Sequence, residues 1–117
     1  MTFDEVVDGL LHGCPGSRAA AIVDPDGISV VSSSDDAGLE ALGAEYAAVL
    51  REVDEAGREF RHGGLQQFFV SAENAVVVLT TIAAGYFLVL VLDRDGLIGK
   101  ARFLSRLVSE RLYPEFV

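Results

Sequence analysis

Nucleophilic chemistry needs a thiol or hydroxyl held against a base, and His12-Gly-Cys14 is the one His/Cys pair in this chain. The base stands two residues away on a flexible Gly-Pro loop, a poor hold on a thiol. His62 lies far along the sequence, so the ligand set of a zinc site is lacking. Ser32 to Ser34 carry no G-x-S-x-G elbow and read as the polar end of a strand. Asp24, Asp26, Asp93 and Asp95 fall at turns, where Asp commonly bonds its own backbone. Gly96-Leu-Ile-Gly99-Lys100 is the nearest string to a phosphate loop, and its spacing is wrong for wrapping a triphosphate. The expectation is a chain with no catalytic residues, no metal site and no cofactor, whose work is done by surfaces.

The elements that must carry those surfaces are legible in composition and period. The 117 residues suffice for one domain spanning 1–117. Half are apolar and 23% are charged, which suits a folded protein and argues against disorder. The net charge of −9 repels phosphate backbones, so nucleic acid and anionic lipid are not expected partners. The charge is uneven: residues 1–93 hold four basic and fifteen acidic groups, residues 94–117 five basic and three acidic. A single cysteine excludes an internal disulfide, and an acidic start, Asp4, Glu5 and Asp8, is unlike a signal peptide. The expected compartment is the cytoplasm.

Phe3, Val6, Val7, Leu10 and Leu11 recur at helical spacing with acids in the first turn, until His12-Gly-Cys-Pro-Gly16 breaks the pattern. Two short strands follow around Asp24-Pro-Asp-Gly27, a turn in which Pro presets φ and Gly accepts a positive one. From Asp36 to Phe60 the period is helical, with Leu39, Leu42, Tyr46, Val49, Leu50, Val53 and Phe60 expected on one core-facing stripe. Ala41, Ala44 and Ala48 cluster on the opposite side among Glu45, Arg51, Glu52 and Glu55. That strip reads either as a seam for close helix packing or simply as good helix formers. Gly63-Gly64 ends the segment, and LQQFFVSA, residues 65–72, reads as a third strand.

Nineteen residues without a charge lie between Glu73 and Asp93, long enough to cross a bilayer. Their Val, Thr, Ile, Tyr and Phe are β-formers, Ala83-Ala84-Gly85 sits at the middle, and the flanks are acidic. The stretch therefore reads as a hairpin, 76–82 and 86–92, and no membrane span is expected. Both strands are apolar on both faces, Tyr86, Leu88, Leu90 and Leu92 opposing Phe87, Val89 and Val91. They belong at the centre of a sheet with helices above and below. The last helix, 97–112, is expected to turn Ile98, Ala101, Leu104, Leu107 or Val108, and Leu112 inward before Pro114 stops it. The order is α-β-β-α-β-β-β-α. Edges then fall to 28–33, blunted by Asp35 and Asp36, and to 65–71, where no charge stands guard and strand-to-strand dimerisation is expected.

PGSRAAAIVDPDGISVVSS, the long helix, LQQFFVSAENAVVVLTTIAAGYFLVLVLD and DGLIGKARFLSRLVSERL together resemble the roadblock family of dynein light chains. Within that family they resemble the bacterial MglB-like regulators of Ras-like small GTPases. The resemblance covers about residues 3–113. It rests on the D-x-D-G turn, the apolar hairpin and the Gly99-Lys-Ala-Arg102 helix start, whose Gly is expected to let the helix lie close to the sheet. It implies an α+β sandwich of the roadblock, longin and profilin kind: a five-stranded antiparallel sheet with the long helix on one face and the two terminal helices on the other. It further implies a homodimer whose sheets join edge to edge and whose paired long helices dock a GTP-loaded, MglA-like GTPase. Such a non-enzymatic regulator or adaptor stimulates its partner's own hydrolysis without supplying an arginine. The positions implied near the dimer and partner interface are Ala41, Ala44, Ala48, Arg51, Glu55 and Phe68. A scaffold without effect on nucleotide turnover is the alternative. A small-ligand sensor is a third reading, expecting a sizeable apolar cavity between sheet and helix.

Overall fold

The structure, a computed structural model, describes residues 2–33 and 37–117. In chain order the elements are α1 (Phe3–Gly13), β1 (Ser17–Val23), β2 (Ser29–Ser32), α2 (Ala37–Glu59), β3 (Gln67–Ser71), β4 (Val76–Thr81), β5 (Phe87–Leu92) and α3 (Ile98–Leu112). A short 3₁₀ turn, Tyr113–Glu115, holds Pro114 where the last helix stops. The expected order is therefore the observed one. Asp36, where the helical pattern was expected to begin, lies outside the described residues.

The five strands form one antiparallel sheet in the order β2-β1-β5-β4-β3. The uncharged run is a hairpin, Val76 pairing with Leu92 and Thr81 with Phe87. Its turn closes by the Tyr86 N–H donating to the Ala83 carbonyl at 2.9 Å, with Ala84 and Gly85 both at positive φ, 54° and 86°. That is the hand of turn that matches strand twist, and Ala84 gives up about 1 kcal/mol to adopt it. The β1–β2 turn is tied by Asp24, whose carboxylate accepts the N–H groups of Asp26 and Ile28, each at 2.9 Å. The expectation that turn aspartates serve their own backbone holds here.

Alternation along β5 sorts its side chains. Leu88, Leu90 and Leu92 join Ile22, Val76 and Val78 under α1 and α3, while Phe87 and Val89 join Ala21, Val77 and Leu79 under α2. Each Leu or Val so covered contributes about 1.5–3 kcal/mol, which is why the run needs no membrane. Among the described residues no helix is long and apolar enough to cross one. Phe116 stacks on Phe3 with ring centres 5.3 Å apart and meets Tyr86 at 4.6 Å, fastening the chain end over α1 and the hairpin.

Two expectations about helix contacts fail, the full α2 stripe and the close approach at Gly99, because small residues elsewhere set the closest approach; on α3 the Val108 alternative holds. On α2 the core stripe includes Leu39, Leu50 and the buried Ala47, whereas Val49 is 40% and Phe60 67% exposed. A Cβ on Gly43 would come within 3.2 Å of the Val23 side chain, and one on Gly27 within 2.6 Å of the Ala44 Cα. The helix thus beds on the β1–β2 hairpin along Gly43 and Ala47, rolling Val49 and Phe60 outward. On α3 the inward residue is Val108, with Leu107 exposed, and Ala101, Ser105 and Ser109 lie against the sheet. Gly99 faces open space; the glycine in a close approach is Gly96, whose Cα lies 2.7 Å from where a Cβ on Gly16 would sit.

Candidate functional site

The groups that could do chemistry are kept apart or occupied. Cys14 is buried, and burial pushes its thiol pKa up, away from the reactive thiolate. The His12 Nδ1–H donates to the Asp8 carbonyl at 2.8 Å. No group of three His, Cys, Asp or Glu side chains that could hold a metal ion occurs among the described residues. Gly96 lies in the turn before α3, its N–H donated to the Asp93 carbonyl at 2.9 Å, and Lys100 stands in the first turn of the helix.

Surfaces remain, and the most developed is built by α2 and β3. Ala41, Ala44, Ala48, Arg51 and Glu55 are all exposed on α2. The structure divides them. Ala44 touches the β1–β2 turn through its backbone at Gly27, and Arg51 Nη2 donates to the Pro25 carbonyl at 3.0 Å. Ala41, Ala48 and Glu55 keep the outward position. Phe68 lies on β3 but tucks its ring into the core beneath α2, while its neighbour Phe69 points to the other face, 45% exposed, with the Arg102 guanidinium 5.1 Å above the ring.

The sequence reading missed a second stripe on α2. Val49, Val53, Ala56 and Phe60 follow one another at i, i+4, i+7 and i+11, one flank of a helix. Val53, Ala56 and Phe60 line a cleft of about 780 Å³ with Leu65, Gln66 and Gln67 at the start of β3 and with Arg102 and Arg106 of α3. Val49, Val53 and Phe60 were expected in the core because they are large and apolar. The signal that would have moved them was the set of small residues, Gly43 and Ala47, on the adjoining face.

β3 pairs with β4 in unbroken register over all five residues, Gln67 with Thr80 through Ser71 with Val76, leaving its other edge uncovered. The opposite edge, β2, is only four residues long and slips register between Ile22 and Val23, which weakens it as a template. Asp35 and Asp36, expected to blunt that edge, lie outside the described residues.

One smaller cleft, about 320 Å³, opens between α2 and the β4–β5 turn. Its floor is Leu50, Ile82 and Phe87, and its rim holds Arg51, Asp54 and Arg58. Asp54 accepts the Leu65 N–H at 2.7 Å and pairs with Arg58 at 2.9 Å, which holds its carboxyl below the usual range. The polar rim distinguishes this cleft from the apolar cavity expected of a ligand sensor.

A sheet of this order with one long helix on one face and two terminal helices on the other is the roadblock and longin arrangement. The family model for the Roadblock/LC7 domain matches residues 3–92, and the chain belongs to that family. No curated protein matches the sequence. The fold is similar to the Roadblock/LC7 domain from Streptomyces avermitilis, at TM-score 0.88 and 17% identity, covering 98% of each chain. It is also similar to the gliding protein MglB from Thermus thermophilus, at TM-score 0.82 and 20% identity over 94% of this chain and 84% of that one. MglB also has a structure with a tetrameric arrangement. MglC from Myxococcus xanthus is 28% identical at TM-score 0.69, over 99% of this chain and 100% of that one.

Proposed function

We propose that this chain, residues 1–117 acting as one cytoplasmic domain, is a non-enzymatic regulator or adaptor of a Ras-like small GTPase. It works as a homodimer in which the β3 edges pair and the Val49, Val53, Ala56 and Phe60 flanks of α2 meet. The outward face of the two α2 helices, with Ala41, Ala44, Ala48, Arg51 and Glu55, then forms the dock for a GTP-loaded partner of the MglA-like kind. Phe68 anchors β3 from beneath.

The observation that carries this reading is the conjunction of an uncovered, charge-free strand edge with an exposed apolar flank on the long helix beside it, in a Roadblock/LC7 chain. Burying both on a twofold mate removes an edge and the exposed Phe60 ring of each protomer from water. Small side chains at Ala41 and Ala48 leave the helix backbone open to close approach by a partner loop. Stimulation would then come from holding the partner's own catalytic groups in place, since this chain offers no base or nucleophile to the reaction.

The test is phosphate release from a GTP-loaded small GTPase encoded beside this protein. Addition of the protein accelerates release, and the Ala41→Glu/Ala48→Glu variant loses the acceleration while still dimerising. Absence of binding in either nucleotide state overturns the proposal. Binding that ignores the nucleotide and leaves turnover unchanged identifies a scaffold instead.

A further inference from the structure

We propose that the cleft between α2 and the β4–β5 turn binds a small organic carboxylate, an apolar body of roughly ten to fifteen non-hydrogen atoms carrying one acid group. Its volume of about 320 Å³ lies in the range that holds such a molecule. The floor is apolar, since Leu50, Ile82 and Phe87 line it and are otherwise buried. The walls keep it open, because Ala47, Ala83, Ala84 and Gly85 carry nothing larger than a methyl group. Pro25 braces the mouth. Its carbonyl accepts an Arg51 Nη2–H at 3.0 Å, and its ring packs on the turn so closely that a Cβ on Gly85 would lie 2.8 Å from its Cγ. Three segments remote in sequence, the β1–β2 turn, α2 and the β4–β5 turn, are thereby held with the hollow between them already formed, which lowers the ordering cost of binding.

The charges at the rim name the ligand's polar group. Among the residues lining the cleft, Arg51 and Arg58 are cationic and Asp54 is the one acid. Asp54 is already matched, accepting the Leu65 N–H at 2.7 Å and the Arg58 Nε–H at 2.9 Å. Arg51 is not, since among the described residues no carboxylate pairs with it and its side chain bonds a neutral carbonyl. One spare guanidinium over an apolar floor, in a chain of net charge −9, is the complement of a single carboxylate, whose two oxygens match the flat fork of donors. An amine would face Arg51 and Arg58. A phosphate monoester would bring two charges to one spare guanidinium beside Asp54. A wholly apolar ligand would strip water from Arg51 and return no acceptor.

Heteronuclear NMR titration of the full chain with phenylbutyrate, phenylbutanamide and phenylbutylamine tests this. Phenylbutyrate is expected to bind with a dissociation constant of about 1 mM or tighter, shifting the backbone signals of Leu65, Ala83, Ala84 and Gly85. The carboxamide and the amine, of the same size, bind at least about fivefold more weakly. Arg51→Gln removes the advantage of the acid over the carboxamide. Tighter binding of phenylpropyl phosphate overturns the carboxylate class. The inference is likewise overturned by an acid that binds no better than its carboxamide, by shifts centred on α1 and α3, or by an advantage that survives Arg51→Gln. Should that variant unfold, the comparison of acid with carboxamide on the parent chain decides alone. Whether α2 docks a GTPase enters none of these readouts, so either reading can fail without the other.

Discussion

β4 and β3 are neighbours in one sheet, alike in length and paired residue for residue, yet they live in different solvents. Val76 through Thr80 are buried on both faces, whereas no residue of β3 is fully buried and Phe69 faces water beneath an arginine. The same backbone geometry thus does two jobs. β4 carries stability because β3 and β5 saturate its hydrogen bonds and helices cover both faces. β3 saturates one edge only, and what it can add next is another molecule. The contrast shows that burial on both sides, not strand propensity, separates the residues that hold this protein together from those it offers outward.

Four substitutions break or sharpen that contrast. The largest loss is expected at the sheet centre: Leu90→Ala leaves a void between β5 and the terminal helices and costs about 2–5 kcal/mol in urea unfolding. Next is Gly27→Ala, where the added Cβ meets the α2 backbone at 2.6 Å and φ is +87°, for a loss of roughly 2–4 kcal/mol. A smaller, pH-dependent effect is expected from Asp54→Asn. Because the folded carboxyl titrates below its unfolded value, its contribution is present above about pH 4 and fades as pH falls through the lower folded pKa. The variant should therefore lose under about 1 kcal/mol at pH 7, solvent screening included, and the gap to the parent should close in acid. Phe60→Ser comes last, shifting folding stability by no more than about 0.5 kcal/mol while weakening self-association at least tenfold by sedimentation. A Phe60 variant that unfolds as readily as the Leu90 one would erase the distinction between core and offered surface.

Much of this protein was written in local patterns. The hairpin followed from an uncharged run of β-formers with Ala-Ala-Gly at its middle, and the Asp24 turn from Pro and Gly at fixed offsets. The exposed positions of Ala41, Ala48 and Glu55 followed from period alone, because a helix repeats every 3.6 residues whatever lies around it. The rotation of α2 on the sheet did not follow. Large apolar residues suggested a stripe through Val49 and Phe60, and the contact instead runs through Gly43 and Ala47, because missing side chains let the backbone come closer than bulky ones allow. The same blindness assigned Gly99 a close approach that belongs to Gly96.

Sequence by itself determined the elements, their order and which strands are apolar on both faces, since these depend on neighbours a few residues apart. Only the tertiary structure decided which flank of each helix is bare, which partners occupy Arg51 and Arg102, and that two turns remote in sequence close a cleft against α2. Those facts depend on how far two backbones approach, a distance set jointly by residues remote in the chain and invisible to any period within it.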